Sequence, residues 1–433
     1  MFDAAYRRRL EGDLPRWRET GWVTADGAAA ILASLGAPRP AIGLAGIVAT
    51  LGALLLGLGV IAFVGANWEA MPRIVRFALL VAVLAAAYLA AGLLRRRGMR
   101  LFAEAALLVA GLVFAGAIAL VGQTYHLSGD FTDAILLWVA GVLIAALLTG
   151  SRTMTVLALI GAGYWTWSVT WYGPSAPHLA GVIPILIGGA LATWQDSRYG
   201  RVVAVLAFGA WLALSIFGAG WRFDLSFAGT VMLAATVAFA VWAAAVALSR
   251  LTVLPRLAAL GEAALWPATV SSMLALGTLQ IVGEPASDPP ALVVLSIVAV
   301  AIAAVLAAFA WLRQGLGAVD AAGAPVLGLA AVAFAMLVPE ADLWARLAGG
   351  AIVIAATLWA VNLGHGGRIP AGKSTGLAAF GIEVIYLYIA TLGTLLDTAV
   401  AFLAGGVLFF ALAWGLYRID RRLGARATAG GAA

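Results

Sequence analysis

The chain has 433 residues, of which 64% are hydrophobic and only 11% are charged, and its mean hydropathy is +1.03. Water-soluble domains carry roughly a quarter charged residues, so this composition excludes a water-soluble protein and predicts an integral membrane protein. The net charge of +6 comes from bases scattered between apolar runs, which excludes a nucleic-acid-binding patch, and the lack of cysteine excludes disulfides and cysteine-ligated metal sites.

The polar stretch before residue 41 lacks the apolar core of a secretory signal. Its apolar residues recur at the three-to-four spacing of an amphipathic helix: Phe2, Tyr6, Leu10, Leu14 and Trp17. After a turn at 21–24, Thr24 is in position to cap a second helix over 25–35. We expect residues 3–36 to form a short helical hairpin packed on the chain's own membrane domain, with docking to a partner protein or a lipid surface as the alternative.

Fourteen apolar runs follow, and each is long enough for a helix that crosses most or all of roughly 30 Å of hydrocarbon. They are uniformly apolar, which excludes barrel strands. The predicted spans are 41–64, 74–94, 101–122, 133–150, 153–172, 178–194, 201–219, 226–248, 257–282, 291–312, 322–338, 343–362, 374–396 and 398–417. The pair 322–338 and 343–362 is the weakest, because the first run is short and the second carries Arg346 near its start. The sequence therefore predicts an all-α transmembrane bundle of about 14 spans.

The placement of arginine and lysine predicts how the bundle is oriented. With the N-terminus in the cytoplasm, only four of the 26 bases fall on the outer side: Arg73, Arg76, Arg222 and Arg346. Cytoplasmic loops carry the excess of bases in membrane proteins, so both termini are expected on the cytoplasmic side of a bacterial inner membrane. The predicted organisation is a cytoplasmic amphipathic element at 1–40, a transmembrane bundle at 41–417 and a cytoplasmic basic tail at 418–433.

Two segments that flank predicted spans carry distinctive residues. One is Asn67-Trp68-Glu69-Ala70-Met71-Pro72-Arg73, after the first span, and the other is Gly122-Gln123-Thr124-Tyr125-His126-Leu127-Ser128-Gly129-Asp130, at the end of the third. With the 21–24 turn, they resemble the predicted bacterial membrane proteins of domain-of-unknown-function family 2157. The resemblance covers roughly residues 5–150 and returns weakly at the C-terminal hairpin, in Gly381, Tyr386, Tyr388, Gly405 and Gly406. It implies a membrane fold of this kind, and it implies no mechanism.

Polar residues collect at the predicted outer ends of the first spans. They are Asn67, Trp68, Glu69, Gln123, Tyr125, His126, Ser128, Asp130 and Asp133. If the first four spans are neighbours, these residues line an outer mouth that binds a cation or a polar head group, or supplies an acid and a base. The alternative is that Ser128 or Asp130 caps the fourth span and Trp68 lies in an interfacial belt. His126 is a single histidine, so no metal site is expected.

Three acids lie within predicted spans, and they are candidates for a substrate or ion pathway: Glu104, Glu262 and Glu383. Glu383 lies deepest, beside Tyr386 and Tyr388. An ionised carboxylate at depth costs at least a few kcal/mol, so Glu383 is expected to be paired, hydrated or protonated. Proton-coupled transporters use such a carboxylate, and the alternative is a neutral glutamate that bonds to a neighbouring helix. Glu104 and Glu262 are expected near the cytoplasmic interface, or with Glu383 in one inward-facing pocket.

An aromatic run, Tyr164-Trp165-Thr166-Trp167 with Trp171 and Tyr172, is typical of an outer interfacial belt, with a binding wall as the alternative. The chain has no phosphate-binding loop and no zincin or serine-hydrolase motif. Candidate partners are membrane lipid, a small solute or lipid-linked substrate, and a protein that docks on residues 1–36. No cofactor and no nucleic acid are expected.

Three functions fit these features. The first is a secondary transporter, or a translocator of a lipid-linked substrate, which the span number, the short loops and Glu383 favour. The second is a non-catalytic assembly or scaffold subunit that uses the N-terminal element and the bundle surface. The third is a membrane enzyme that acts on a lipid-linked substrate at the outer face, with Glu69 or Asp130 as the acid or base. Outer loops of no more than about a dozen residues weaken this third hypothesis.

Overall fold

The computed structural model shows an all-helical protein. It describes residues 10, 13–34, 44–66, 71–125, 130–172, 178–282, 288–313, 316–337, 343–365, 369 and 372–392. Over these residues the structure is 90% helical and contains no strand. The predicted all-α class is therefore confirmed for the described part of the chain.

Fifteen helices occupy the described ranges. The first, α1, covers residues 13–19. The others are α2 (Ala25–Ser34), α3 (Leu44–Ala66), α4 (Arg73–Arg96), α5 (Arg100–Tyr125), α6 (Phe131–Thr149), α7 (Arg152–Tyr172), α8 (Val182–Trp194), α9 (Arg198–Arg222), α10 (Phe227–Ser249), α11 (Pro255–Ile281), α12 (Pro290–Leu312), α13 (Ala318–Leu337), α14 (Leu343–His365) and α15 (Gly372–Leu392). A 3-10 turn, Leu179–Gly181, precedes α8. Each predicted span up to 374–396 overlaps one of these helices, whereas the span at 398–417 and the tail at 418–433 lie outside the described residues.

Length and apolarity mark the chain as a multi-pass membrane protein. Among the described helices, nine are long and apolar enough to cross a membrane, and two shorter apolar helices accompany them. The nine include α13 and α14, which correspond to the weakest pair of predicted spans. Large apolar side chains are exposed on these helices, such as Leu148, Val305 and Leu337. Water does not tolerate such surfaces, and lipid covers them.

The chain divides into two units, Met1–Ala117 and Ile118–Ala433. In the first unit, α1 and α2 share a small core in which Leu10, Leu14 and Ala28 are buried. The Thr24 hydroxyl accepts a hydrogen bond from the Gly27 backbone N–H at 3.1 Å. The predicted cap and the helix that follows it are therefore confirmed.

In the second unit, α10 lies at the centre. It packs against α9, α11, α12 and α13, and Met232, Phe239 and Trp242 on it are completely buried. Because α10 is apolar on every side, it is suited to an environment made wholly of other helices. The helices α6 to α9 form a second packed group around Val139, Ala162 and Ile185.

A polar connection fixes the start of α10. The Ser226 hydroxyl accepts from the Gly229 backbone N–H at 2.9 Å and so caps the helix. Asp288, which precedes α12, accepts from the Ser226 backbone N–H at 2.7 Å and from the Ser226 hydroxyl. These bonds tie the first turn of α10 to the loop before α12, and α10 in turn packs on α11. The helix α11 also contacts α14 and α15, which pack extensively on each other.

Candidate functional site

A buried carboxyl–carboxamide pair links α11 to α15. Glu383 lies midway along α15, and Gln280 is the penultimate residue of α11. The Gln280 Nε2 donates to the Glu383 Oε1 at 2.9 Å, and each residue is only 5% exposed. This bond between helices is the arrangement of the alternative named above, a glutamate that bonds to a neighbouring helix. The partner is an amide that the sequence did not single out.

Two glycines on α14 make room for this pair. A Cβ at Gly349 would lie 2.7 Å from the Gln280 Cγ, and a Cβ at Gly350 would lie 3.2 Å from the Glu383 Oε1. Small residues allow membrane helices to approach closely. The backbone of α14 therefore forms one wall against which Gln280 and Glu383 are held.

The Gln280 amide is satisfied at one end only. Its Oε1 is buried and has no hydrogen-bond partner in the described part of the protein. A buried acceptor that makes no bond costs about 1–3 kcal/mol. The site therefore contains a polar atom with unused bonding capacity next to a titratable group.

A cavity of about 270 Å³ lies beside the pair, between α11, α13, α14 and α15. Its lining includes Gln280, Val282, Phe334, Arg346, Tyr386 and Ala390. Arg346 lies in the first turn of α14, and its Nη1 donates to the Ala390 carbonyl of α15 at 2.8 Å. This bond uses one of the five N–H donors of the guanidinium. The cavity therefore combines a cation, an amide, a phenol and apolar walls.

The other two acids of the predicted pathway are not among the residues that line this cavity. Glu262 is exposed on α11, 18 residues before Gln280, which is about 27 Å along a helix axis. Glu104 is half-buried near the start of α5, in the first unit of the chain. Of the two tyrosines near Glu383, Tyr386 lines the cavity, whereas Tyr388 is half-buried and does not belong to the lining.

The structure describes part of the predicted outer mouth. Asn67, Trp68, Glu69, His126 and Ser128 lie outside the described residues, and Tyr125 is described only as the end of α5. Gln123, Asp130 and Asp133 are exposed. Asp130 occupies the N-cap position of α6, although its side chain makes no capping bond, and Asp133 lies in the first turn.

The predicted aromatic run divides between two faces of α7. Tyr164, Trp167 and Trp171 are exposed and form a column in which successive ring centroids are 5.6 and 6.3 Å apart. Trp165 faces inward, with its ring edge-on to His178 at 4.4 Å. The exposed column is compatible with an interfacial belt and with a binding wall, so both interpretations stay predictions.

A second buried carboxyl group went unpredicted. Asp320, in the first turn of α13, is 3% exposed and accepts from the Asn362 Nδ2 at 2.6 Å. Its backbone carbonyl accepts from the Trp359 Nε1 at 3.0 Å. The predicted span began at residue 322 and left Asp320 in a loop, whereas α13 begins at Ala318 and takes the residue into the packed bundle.

Comparison with known proteins finds a family match for the first third of the chain. The family model described as predicted membrane protein, domain-of-unknown-function family 2157, matches residues 15–155. This match confirms the resemblance found in the N-terminal part of the sequence, whereas the weak resemblance at the C-terminal hairpin lies outside the matched residues. No curated protein and no solved structure matches the chain. The Glu383 site lies beyond the matched residues.

Proposed function

We propose that this multi-pass membrane protein is a secondary transporter that carries a small polar solute through the second unit of the chain, coupled to protons at Glu383. The observation that carries this proposal is the buried Glu383–Gln280 pair beside a cavity that contains Arg346. Ionisable residues inside membrane bundles are costly, and proton relays in pumps and transporters are built from them.

The volume of the cavity favours a small solute over a lipid-linked substrate. At about 270 Å³, the cavity lies just below the roughly 300–1,000 Å³ range of pockets for drug-sized ligands. A sugar joined to a lipid carrier is larger than this space.

The proposed orientation follows the distribution of bases, with both termini in the cytoplasm of a bacterial cell. The end of α11 and the start of α14 then lie at the outer face, so the cavity is an outward vestibule and Glu383 stands at its inner edge. A proton and a solute from outside reach this region together.

The test uses the full-length protein in liposomes that enclose a pH-sensitive dye. Pools of small organic acids, amino acids, sugars and organic cations are added outside, and proton entry is followed for each pool. We expect at least one pool to drive proton entry with the native chain and none to do so with Glu383→Gln. The matched control is Glu262→Gln, which neutralises an exposed glutamate on α11, about 27 Å before Gln280 along the helix axis, and is expected to transport normally.

Two results would overturn the proposal. One is proton entry by Glu383→Gln at the native rate, and the other is the absence of solute-driven proton movement for every pool with a correctly folded native chain. In the second case, co-purification of a fixed partner from native membranes would support the scaffold function instead.

A further inference from the structure

The charge of the cavity lining points to the class of solute. Among the described residues that line the cavity, Arg346 is the one with a formal charge. Its side chain is half-buried and anchored by the bond from its Nη1 to the Ala390 carbonyl. A guanidinium presents its remaining donors as a planar fork that fits a carboxylate or phosphate group. In surroundings of low polarity, such a cation attracts an anion more strongly than it does in water.

Glu383 faces the stretch of α14 that follows Arg346. Its Oε1 is next to Gly350, which is four residues from Arg346 on α14, or about 6 Å along the axis of α14. The guanidinium itself reaches the Ala390 carbonyl, seven residues or about 10 Å along α15 from Glu383. An ionised Glu383 therefore offsets the positive charge of Arg346 across the wall of the cavity. A protonated Glu383 does not, and the full positive charge then acts on the cavity.

Gln280 lies between the Glu383 carboxyl group and the cavity, because it bonds to the first and lines the second. In the structure its Nε2 donates to Glu383 and its Oε1 has no partner in the described residues. A protonated Glu383 has an O–H to donate, and rotation of the amide by half a turn offers it the Oε1. The Nε2 is then released as a donor. The proton state of Glu383 thus sets which end of the amide faces away from it.

We infer that the cavity binds a small anion, a carboxylate or a phosphate group, through Arg346, and that protonation of Glu383, relayed by Gln280, strengthens this binding. The coupling of binding to protons rests on the proposed transport function. One proton joins the Glu383 carboxylate and one monoanion joins Arg346, so the loaded site gains no net charge. Such a site serves electroneutral proton–anion symport.

Few of the described residues that line the cavity are titratable. They are Arg346 of α14 and Tyr386 of α15. The contributions of α11 and α13 are Gln280, Ile281 and Phe334, which do not titrate. A pH dependence of anion binding that Glu383→Gln abolishes therefore reports on Glu383.

The experiment measures binding of lactate to the purified full-length protein by calorimetry in mildly acidic and mildly alkaline buffer. Lactate is a carboxylate that stays ionised in both buffers, and lactamide is its neutral counterpart. We expect lactate to bind at least about tenfold more tightly in the acidic buffer and lactamide not to bind. Losing one hydrogen bond between a charged group and its partner lowers an affinity by about tenfold or more.

Four variants separate the roles. Arg346→Gln should weaken lactate binding at least about tenfold in both buffers, whereas Arg346→Lys keeps the charge and should retain part of the affinity. Glu383→Gln should bind equally well in both buffers, at the acidic level. Gln280→Leu should bind through Arg346 with a smaller difference between buffers. The control is Arg222→Gln, an exposed arginine at the end of α9, which should bind like the native chain.

The outcomes distinguish this inference from the proposed function. Solute-driven proton entry that survives Arg346→Gln would overturn the anion site and leave proton-coupled transport standing. Lactate binding that depends on pH, without any proton movement in liposomes, would support the anion site and overturn the proposed transport function. A second series in nanodiscs with and without anionic phospholipid identifies the source of the anion. Binding of lactate that anionic lipid abolishes would show that the site belongs to a lipid phosphate.

Discussion

Gly349 on α14 offers a sharp test of the Glu383 site, because alanine at this position adds one carbon where the structure has no room. The new Cβ would lie 2.7 Å from the Gln280 Cγ and 3.1 Å from the Phe334 Cζ. Carbon atoms normally approach to about 3.5–4.0 Å, so Gln280 has to move by about 1 Å. The 2.9 Å bond from the Gln280 Nε2 to the Glu383 Oε1 does not survive a displacement of this size in good geometry.

The magnitude follows from two opposing contributions. Overpacking costs about 1–3 kcal/mol, and replacing glycine by alanine in a helix returns about 1 kcal/mol. We therefore expect Gly349→Ala to lower the free energy of unfolding by about 0–2 kcal/mol and to abolish solute-driven proton entry. The matched control is Gly277→Ala, three residues before Gln280 on α11, where a Cβ meets no atom within 4 Å.

Thermal unfolding in detergent and proton entry in liposomes are measured on both variants. Gly277→Ala should be as stable as the native chain or more so, with normal transport. The packing argument fails if Gly349→Ala matches Gly277→Ala in both measurements, because Gln280 would then have moved without consequence for Glu383.

Three further predictions concern the frame around the site. Asp288→Ala removes both hydrogen bonds from Ser226, the cap of α10, to Asp288 and should lower the free energy of unfolding by about 1–3 kcal/mol. The control Asp133→Ala, at an exposed position, should lower it by less than about 0.5 kcal/mol. Equal melting temperatures of the two variants would contradict this. Asp320→Asn keeps an acceptor for Asn362 and should melt higher than Asp320→Ala, which leaves that amide unpaired; the reverse order would contradict the role of this bond. The chain lacks cysteine, so single cysteines can report the orientation. If the predicted orientation holds, a membrane-impermeant thiol reagent on intact cells should label Asp133→Cys and should not label Val253→Cys. Labelling of both variants, or of Val253→Cys alone, would refute the predicted orientation.

The membrane helices were predictable because each one depends on a local property. A run of apolar residues long enough to cross the bilayer has to satisfy its own backbone, and a helix is the way to do so. The Thr24 cap was equally predictable, since the hydroxyl and the N–H that it accepts from are three residues apart. Such features need no knowledge of how distant segments meet.

The contents of the site depend on contacts that local pattern does not encode. Gln280 and Glu383 are separated by 103 residues in sequence, and nothing near Gln280 marks it as the partner of a carboxyl group. In the sequence, Arg346 only weakened the prediction of the span at 343–362. In the structure, it lines the cavity. Depth in a span identified Glu383 as a candidate, whereas its surroundings follow from the packing of α11, α14 and α15.

The order of the helices along the chain has a consequence for biogenesis. α10 leaves the ribosome before α11, α12 and α13, the neighbours that later enclose it. Its surface is mostly apolar, and its Thr230 and Thr236 hydroxyls bond to local backbone carbonyls, so it is suited to lipid in the meantime. α15 carries a carboxyl group that lipid does not accommodate well. It is synthesised after α11 and α14. If α15 crosses the bilayer as proposed, Gln280 and the glycine wall are already present when Glu383 enters the membrane.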